Sequence, residues 1–224
     1  MKRIFVIAAL AAACGGSSAG TAVDRNRAGS GSSTLRVTAN VDVTVSDTAP
    51  VTDFQVTLRD GLGANVSGAT VTVHSPALGD VPLVEASAGT GQYTNSKTSY
   101  PGGDLSLTVV RGSDNVQGVV AGYPGEHLIN APAPNAIVSS TQPLHVSWTT
   151  PATAKAATLT TRDYSVQVPD TGAYDIPAGN ATNPVRASQR VSVVRSNELD
   201  IAGALPSSRM RVTVTTTVDP FTVN

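Results

Sequence analysis

Apolar and polar residues alternate along most of the chain from residue 35 onward. The first run places an apolar side chain at every second position, namely at Leu35, Val37, Ala39, Val41, Val43 and Val45. Because successive side chains of a β-strand point to opposite faces, this period of two predicts strands with one buried face and one face in water. The pattern recurs around Phe54, Val71, Leu107, Val146 and Val212.

Turn-forming residues separate these alternating runs. They include Asp60-Gly61, Ser75-Pro76, Pro101-Gly102-Gly103 and Gly112-Ser113-Asp114-Asn115. An apolar period of 3.6 residues, which would indicate an amphipathic helix, nowhere persists for three turns. Short strands, regular turn signals and no helices predict an all-β fold of the sandwich type.

A segment rich in proline divides the β pattern in two. Residues 123–134 contain Pro124, Pro132 and Pro134, and proline cannot donate a hydrogen bond to a sheet. We therefore predict a linker at 123–134 between two tandem β-sandwich domains, one at 34–122 and the other at 135–224.

In the first predicted domain, a strand and glycine turn at 56–61 precede Ser67-Gly68-Ala69-Thr70-Val71 and, later, Gly91-Gln92-Tyr93. This order resembles bacterial Ig-like and carboxypeptidase-regulatory-like domains. Tyr93 is expected to bury its ring and to reach the backbone with its hydroxyl. The resemblance implies an Ig-like fold for this domain.

In the second predicted domain, Asp170-Thr171-Gly172-Ala173-Tyr174 resembles the tyrosine corner of immunoglobulin-type sandwiches. Ile176 stands where antibody domains have their second cysteine. Trp148, which the alternation turns inward, is similar to their core tryptophan. These resemblances imply a second Ig-like fold and carry no active site, because a sandwich hosts many functions.

The first thirteen residues have the pattern of a secretory signal. A basic start, Met1-Lys2-Arg3, precedes an apolar run at 4–13, which is too short to cross the ~30 Å core of a bilayer. Ala13 is followed by Cys14, the only cysteine of the chain. We predict a signal peptide at 1–13 that is cleaved between Ala13 and Cys14.

This junction resembles the lipobox of bacterial lipoproteins, although Ala11 stands where leucine is favoured. The resemblance implies lipidation of Cys14, palmitate included, and anchoring in a membrane. Since Gly15 follows the cysteine, the resemblance implies the outer membrane. The alternative is an ordinary signal cut that leaves a free thiol. Residues 14–33 are mostly Gly, Ser and Ala beyond the cysteine, which predicts a flexible tether with a reach of roughly 24 Å.

Composition and charge limit the classes of partner that the chain is expected to bind. Charged residues make up 14% of the chain and the formal net charge is −1, so no nucleic-acid partner is predicted. A single cysteine cannot form a disulfide within the chain, so each domain requires its own hydrophobic core.

No catalytic residue, cofactor or metal ligand is predicted. His74 and His145 alternate with inward residues and His127 lies in the linker, so all three are interpreted as surface histidines. The pattern Gly16-Ser17-Ser18-Ala19-Gly20 matches a nucleophile elbow but lies in the tether, outside the strand–turn–helix context that the motif requires.

Two charged groups and three tyrosines remain as candidates for binding. An acidic strip is predicted to be a solvated face, with a calcium site as the alternative: Asp42, Asp47, Asp53 and Asp60. A basic group is predicted to prevent edge-to-edge strand pairing, with contact to phosphorylated lipid headgroups or an anionic polysaccharide as the alternative: Arg186, Arg190, Arg195, Arg209 and Arg211. Tyr100, Tyr123 and Tyr164 are candidates for stacking on sugars.

Together these observations predict a membrane-anchored lipoprotein with a non-catalytic binding or structural role in the cell envelope. Its expected partners are the membrane, through the lipid, and an envelope protein or glycan. The alternatives are a carbohydrate-binding module and an enzyme whose site assembles from residues distant in sequence.

Overall fold

The computed structural model describes residues 25–46, 48–180 and 186–224. Over these residues the chain forms strands and no helix, which confirms the predicted all-β class. Several predicted features lie outside the described residues: the signal peptide at 1–13, the cleavage site at Ala13 and Cys14, the motif at 16–20, and Asp47.

Sixteen strands form within the described residues. They are β1 (Arg27–Ser32), β2 (Arg36–Thr44), β3 (Val51–Arg59), β4 (Thr70–Ser75), β5 (Gly79–Glu85), β6 (Gln92–Lys97), β7 (Leu105–Arg111), β8 (Asp114–Ala121), β9 (Ile129–Ala131), β10 (Ile137–Val138), β11 (Leu144–Trp148), β12 (Ala156–Thr161), β13 (Ser165–Val168), β14 (Ala173–Ile176), β15 (Arg186–Asp200) and β16 (Arg209–Val223).

Thirteen strands belong to one curled sheet, in the order β1-β8-β7-β4-β5-β6-β3-β2-β16-β15-β12-β13, with β10 paired to β16 beside this path. The other three form a small sheet in the order β14-β11-β9. Most neighbours are antiparallel, but β16 runs parallel to β2, with Met210 opposite Ala39 and Val214 opposite Val43. This pairing joins the last strand, β16, to the second strand, β2.

Two hydrophobic cores lie along this sheet. The first core contains the buried apolar side chains of residues 35–123 together with Leu199, Ile201, Met210, Val212 and Val214. The second core contains those of residues 144–193 together with Val218, Phe221 and Val223. The long hairpin β15–β16 therefore contributes to both cores. The division into two tandem Ig-like sandwiches at 34–122 and 135–224 stays a prediction.

The buried faces of the strands are those that the alternation predicts. Val37, Val56, Leu107 and Val146 are all buried. Tyr93 is buried as expected, and its hydroxyl accepts a hydrogen bond from the Ala69 N–H (3.0 Å) and donates one to the Val66 carbonyl (3.3 Å). A period of two thus correctly identified which side chains enter the cores.

The tether predicted to reach residue 33 is wrong over its last part, because residues 27–32 pair with β8 as strand β1. Glycine is required here for close approach and not for flexibility. A Cβ on Gly31 would lie 2.0 Å from the Asn115 carbonyl oxygen, and both Gly29 and Gly31 have positive φ. The Gly/Ser composition therefore permits an edge strand to lie unusually close to its neighbour.

Candidate functional site

A group of buried polar side chains lies between the two cores, on the inward row of β15. That row begins with Val191 and Val193 in the second core and ends with Leu199 in the first core. Arg195 and Asn197 occupy the two positions between them, and the Arg195 side chain is 0% exposed. A charged group at such a position must be paired and hydrogen-bonded to be tolerated.

Arg195 is paired with Asp170, whose side chain is 5% exposed. The Arg195 Nε donates to both carboxylate oxygens (2.9 and 3.1 Å), and Nη2 donates to Oδ2 (2.6 Å). The remaining donors reach backbone: Nη1 donates to the Pro124 carbonyl (2.7 Å) and Nη2 to the Ala152 carbonyl. The planar fork of the guanidinium suits this set of acceptors.

The Asp170 carboxylate also accepts a hydrogen bond from the indole Nε1 of Trp148 (2.9 Å). Burial by itself raises the pKa of this carboxyl, but the hydrogen bonds from Arg195 and Trp148 outweigh it and hold the pKa below its usual value. Asp170 is therefore an ionised partner that fixes both the arginine and the core tryptophan.

The same group of side chains holds the segment that joins the two cores, residues 122–127, which we call the connector. Asn197 donates to the Gly122 carbonyl (2.8 Å), Arg195 to the Pro124 carbonyl, and Thr216 to the His127 carbonyl (2.7 Å). The connector, predicted as the start of a linker, is buried at every position except Glu126, which is partly exposed. Its backbone carbonyls are bound from both strands of the hairpin.

His127 is buried, and the prediction of a surface histidine at this position is wrong. Its ring is 0% exposed; Nε2 donates to the Val193 carbonyl (3.0 Å), and Nδ1 has no hydrogen-bond partner within the described part of the chain. Burial lowers the pKa of His127 from 6.5 to about 4, and the positive charge of Arg195 acts in the same direction. The ring is therefore neutral, with its proton on Nε2.

Arg195 also corrects the interpretation of the basic group as protection against edge pairing. β15 lies between β12 and β16, and β16 lies between β15 and β2, so neither is an edge strand. Arg195 shares the inward parity of Val191 and Val193, whereas Arg190 is exposed. The signal that would have found it was a charged residue at an inward position of an alternating strand.

The hydrogen-bonding groups of the junction are used within the protein, and a pocket of about 300 Å³ lies beside them, lined by Thr150, Pro151, Ala152, Thr153, Ala154 and Asp170. Every nitrogen of the Arg195 guanidinium has an acceptor within the protein, and both Asp170 oxygens are bonded. The arrangement clamps the connector to the hairpin. A clamp of this kind fixes the relative position of the two cores.

The other two histidines and the acidic residues lie on the surface. His74 is hydrogen-bonded to Asp80 (2.8 Å) and His145 to Asp175 (2.6 Å), with all four side chains more than half exposed; this confirms the surface prediction for both histidines. Within the described residues, no group of three or more histidine, cysteine or acidic side chains is placed to hold a metal ion.

The four acidic residues of the predicted strip do not all lie on one face of the sheet. Asp42 and Asp53 are exposed and lie directly opposite one another on β2 and β3, as a solvated face requires. Asp60, however, closes a turn: its Oδ1 accepts hydrogen bonds from the N–H groups of Leu62 and Ala64, each 2.9 Å long.

The three tyrosines proposed for sugar stacking do not form one platform, since Tyr100 and Tyr123 belong to the first core and Tyr164 to the second. Tyr100 packs against the first core, Tyr164 packs against the second core, and Tyr123 is buried in the connector. The Tyr123 hydroxyl donates to Glu126 (3.0 Å), and burial raises its pKa. These side chains support packing, and they form no shared platform.

An open polar surface, which we call the outer face, consists of the outward residues of β15, β16, β2, β3 and β6. The inward residues of β2, β3 and β6 lie in the first core, and those of β15 and β16 lie in both cores. At one end, Arg36 lies opposite Arg59 and Thr38 opposite Thr57. These four side chains line a groove of about 240 Å³.

No protein-family model and no curated protein matches the chain. In the part of the chain that the structure describes, no helix is long and apolar enough to cross a membrane. The resemblances to lipoproteins and to Ig-like domains therefore stay predictions.

Proposed function

We propose that this chain is a lipid-anchored envelope protein with a non-catalytic binding role, carried on two cores held in a fixed relative position. The observation that carries the proposal is the clamp formed by Arg195, Asp170 and Asn197. It uses buried polar groups to join the cores, and the outer face remains an open polar surface. A rigid scaffold that presents exposed surfaces is typical of binding proteins.

A carbohydrate-binding role is the second candidate, and the composition of the outer face favours it. Its central rows are made of hydrogen-bonding side chains, with Asn40 opposite Gln55 and Gln55 opposite Thr94. Such groups both donate to and accept from sugar hydroxyls.

Replacing Cys14 with alanine is expected to abolish incorporation of radiolabelled palmitate and to release the protein from the membrane fraction. The physical reason is that the proposed lipid is attached to the thiol of Cys14, which alanine lacks. Without acyl chains the protein has no stable anchor. Labelling and fractionation of cells that express each form provide the measurement. Cys14→Ser is the matched control and should behave like Cys14→Ala; palmitate retained by either variant contradicts the anchor.

The binding role predicts that a chain beginning at Gly15 captures a defined partner from cross-linked cell envelopes. This chain retains every described residue. The measurement is recovery of the same envelope component from independent preparations, in competition with excess free protein. Recovery of nothing above the background of an unrelated β-sandwich protein would refute the binding role.

A further inference from the structure

The outer face carries a pair of arginines that no acidic side chain balances. Arg36 on β2 and Arg59 on β3 are directly opposite in an antiparallel register. Like charges placed in this way destabilise a strand pair. Within the described residues neither arginine forms an ion pair, and only the Arg36 Nε is bonded, to the Pro206 carbonyl (3.2 Å).

Two other arginines on the same face have an acidic residue at the opposite register position, although neither forms an ion pair within the described residues. Arg209 lies opposite Asp200, and Arg211 lies opposite Glu198. The nearest acid in the chain to Arg59 is Asp60, and that carboxylate is occupied by the turn that follows β3. The Arg36–Arg59 pair is therefore the place on this face where positive charge exceeds negative charge.

Rows of polar side chains beside the arginine pair complete a candidate binding site. Thr38 and Thr57 form the next row and complete the walls of the groove. Asn40 and Gln55 form the row after that. The next row consists of Asp42 and Asp53, whose negative charges repel an acidic ligand. Such a ligand would therefore lie across the strands at the end where the arginines are. Five strands spaced ~4.8 Å apart give a width of roughly 19 Å.

We propose that this groove binds an acidic polysaccharide, with a carboxylate or sulfate of the sugar chain seated between Arg36 and Arg59. The guanidinium fork matches such oxyanions in two-bond geometry. Thr38, Thr57 and the Asn40–Gln55 row bind hydroxyls of the same chain. This proposal deepens the binding role proposed above and rests on it. A polymer fits better than a single lipid headgroup because neutral hydrogen-bonding rows continue across the face.

The test measures binding of the Gly15 chain to heparin and to polygalacturonate, with neutral dextran as the reference polymer. Arg36→Gln together with Arg59→Gln is expected to weaken binding at least about a hundredfold, since both charge-assisted contacts to the oxyanion are lost. Arg111→Gln together with Arg190→Gln removes the same charge from exposed positions outside the groove and should leave affinity within about twofold.

Folding is checked separately by thermal unfolding. Removal of the like-charged pair should leave the midpoint of the Arg36/Arg59 variant unchanged or raised. Equal loss of binding in both double variants, absence of binding to either acidic polymer, or binding confined to vesicles that contain anionic phospholipid would each overturn the proposal. Capture of an envelope protein that survives the Arg36 and Arg59 changes would leave the binding role standing without this site.

Discussion

Replacing Arg195 with alanine is expected to lower the free energy of unfolding by about 3–5 kcal/mol. The change leaves the Asp170 carboxylate, 5% exposed, without its counter-ion, and breaking a buried pair from one side costs this much. It also leaves the carbonyls of Pro124 and Ala152 without their donor. Urea denaturation at pH 7 measures the effect, with the fluorescence of Trp148 as the signal, since its indole bonds the same carboxylate.

Two control variants separate the clamp from general effects of removing an arginine. Arg190→Ala, on an exposed position of the same strand, should change stability by less than about 0.5 kcal/mol. Arg195→Lys keeps the charge but replaces the planar fork of three nitrogens by a single nitrogen, which does not reach all the acceptors that Nε, Nη1 and Nη2 now bind. An intermediate loss is expected. A loss at Arg195→Ala no larger than that at Arg190→Ala would show that the clamp does not hold the cores together.

A double-mutant cycle between Arg195 and Asp170 then measures their coupling. Asp170→Ala alone leaves a buried guanidinium unpaired, so it should destabilise the protein by a similar amount. The double variant should cost less than the sum of the two single changes, because the second removal takes away a charge that the first left uncompensated. Strict additivity would mean that the two side chains are neighbours without energetic coupling.

The sequence predicted the strands well and the junction poorly, and the physical reason differs in each case. The inward parity of Val37 or Leu107 follows from local alternation, which any half-buried strand must show. The parallel pairing of β16 with β2 joins residues about 170 positions apart, and no local pattern encodes which distant strands meet. Because β16 pairs with β2, the β15–β16 hairpin contributes to both cores. A division of the chain into two domains at residues 123–134 does not predict this sharing.

At the junction, residue type alone predicts the wrong environment, because strand position decides it. Residue type groups Arg195 with exposed arginines, although its parity matches Val193. The prolines of the predicted linker favour a surface position for His127, yet both strands of the hairpin bind the connector. Residues 27–32 looked like a tether because small residues also permit close backbone packing. In each case a tertiary contact decided between two local interpretations.

Lowering the pH from about 7.5 to 5 is expected to remove about 2 kcal/mol of stability through His127 alone. Its pKa is lowered in the folded protein to about 4 from the ordinary 6.5, so the unfolded chain takes up the proton first. Stability is therefore complete above pH 6.5, falls as the pH decreases below that value, and reaches its full loss of about 3 kcal/mol below pH 4.

The variant His127→Gln tests this assignment because glutamine keeps an N–H donor for the Val193 carbonyl and does not titrate. Urea midpoints at pH 7.5, 6 and 5 should fall steeply for the natural chain and remain nearly level for the variant. His145→Gln, at an exposed position, is the matched control and should retain the fall. Asp170, whose pKa is also lowered, loses its contribution only at more acidic pH, as the pH falls through its folded value. The interval from pH 7.5 to 5 therefore isolates the histidine, and an unchanged fall in His127→Gln would mean that the ring is not buried as a neutral group.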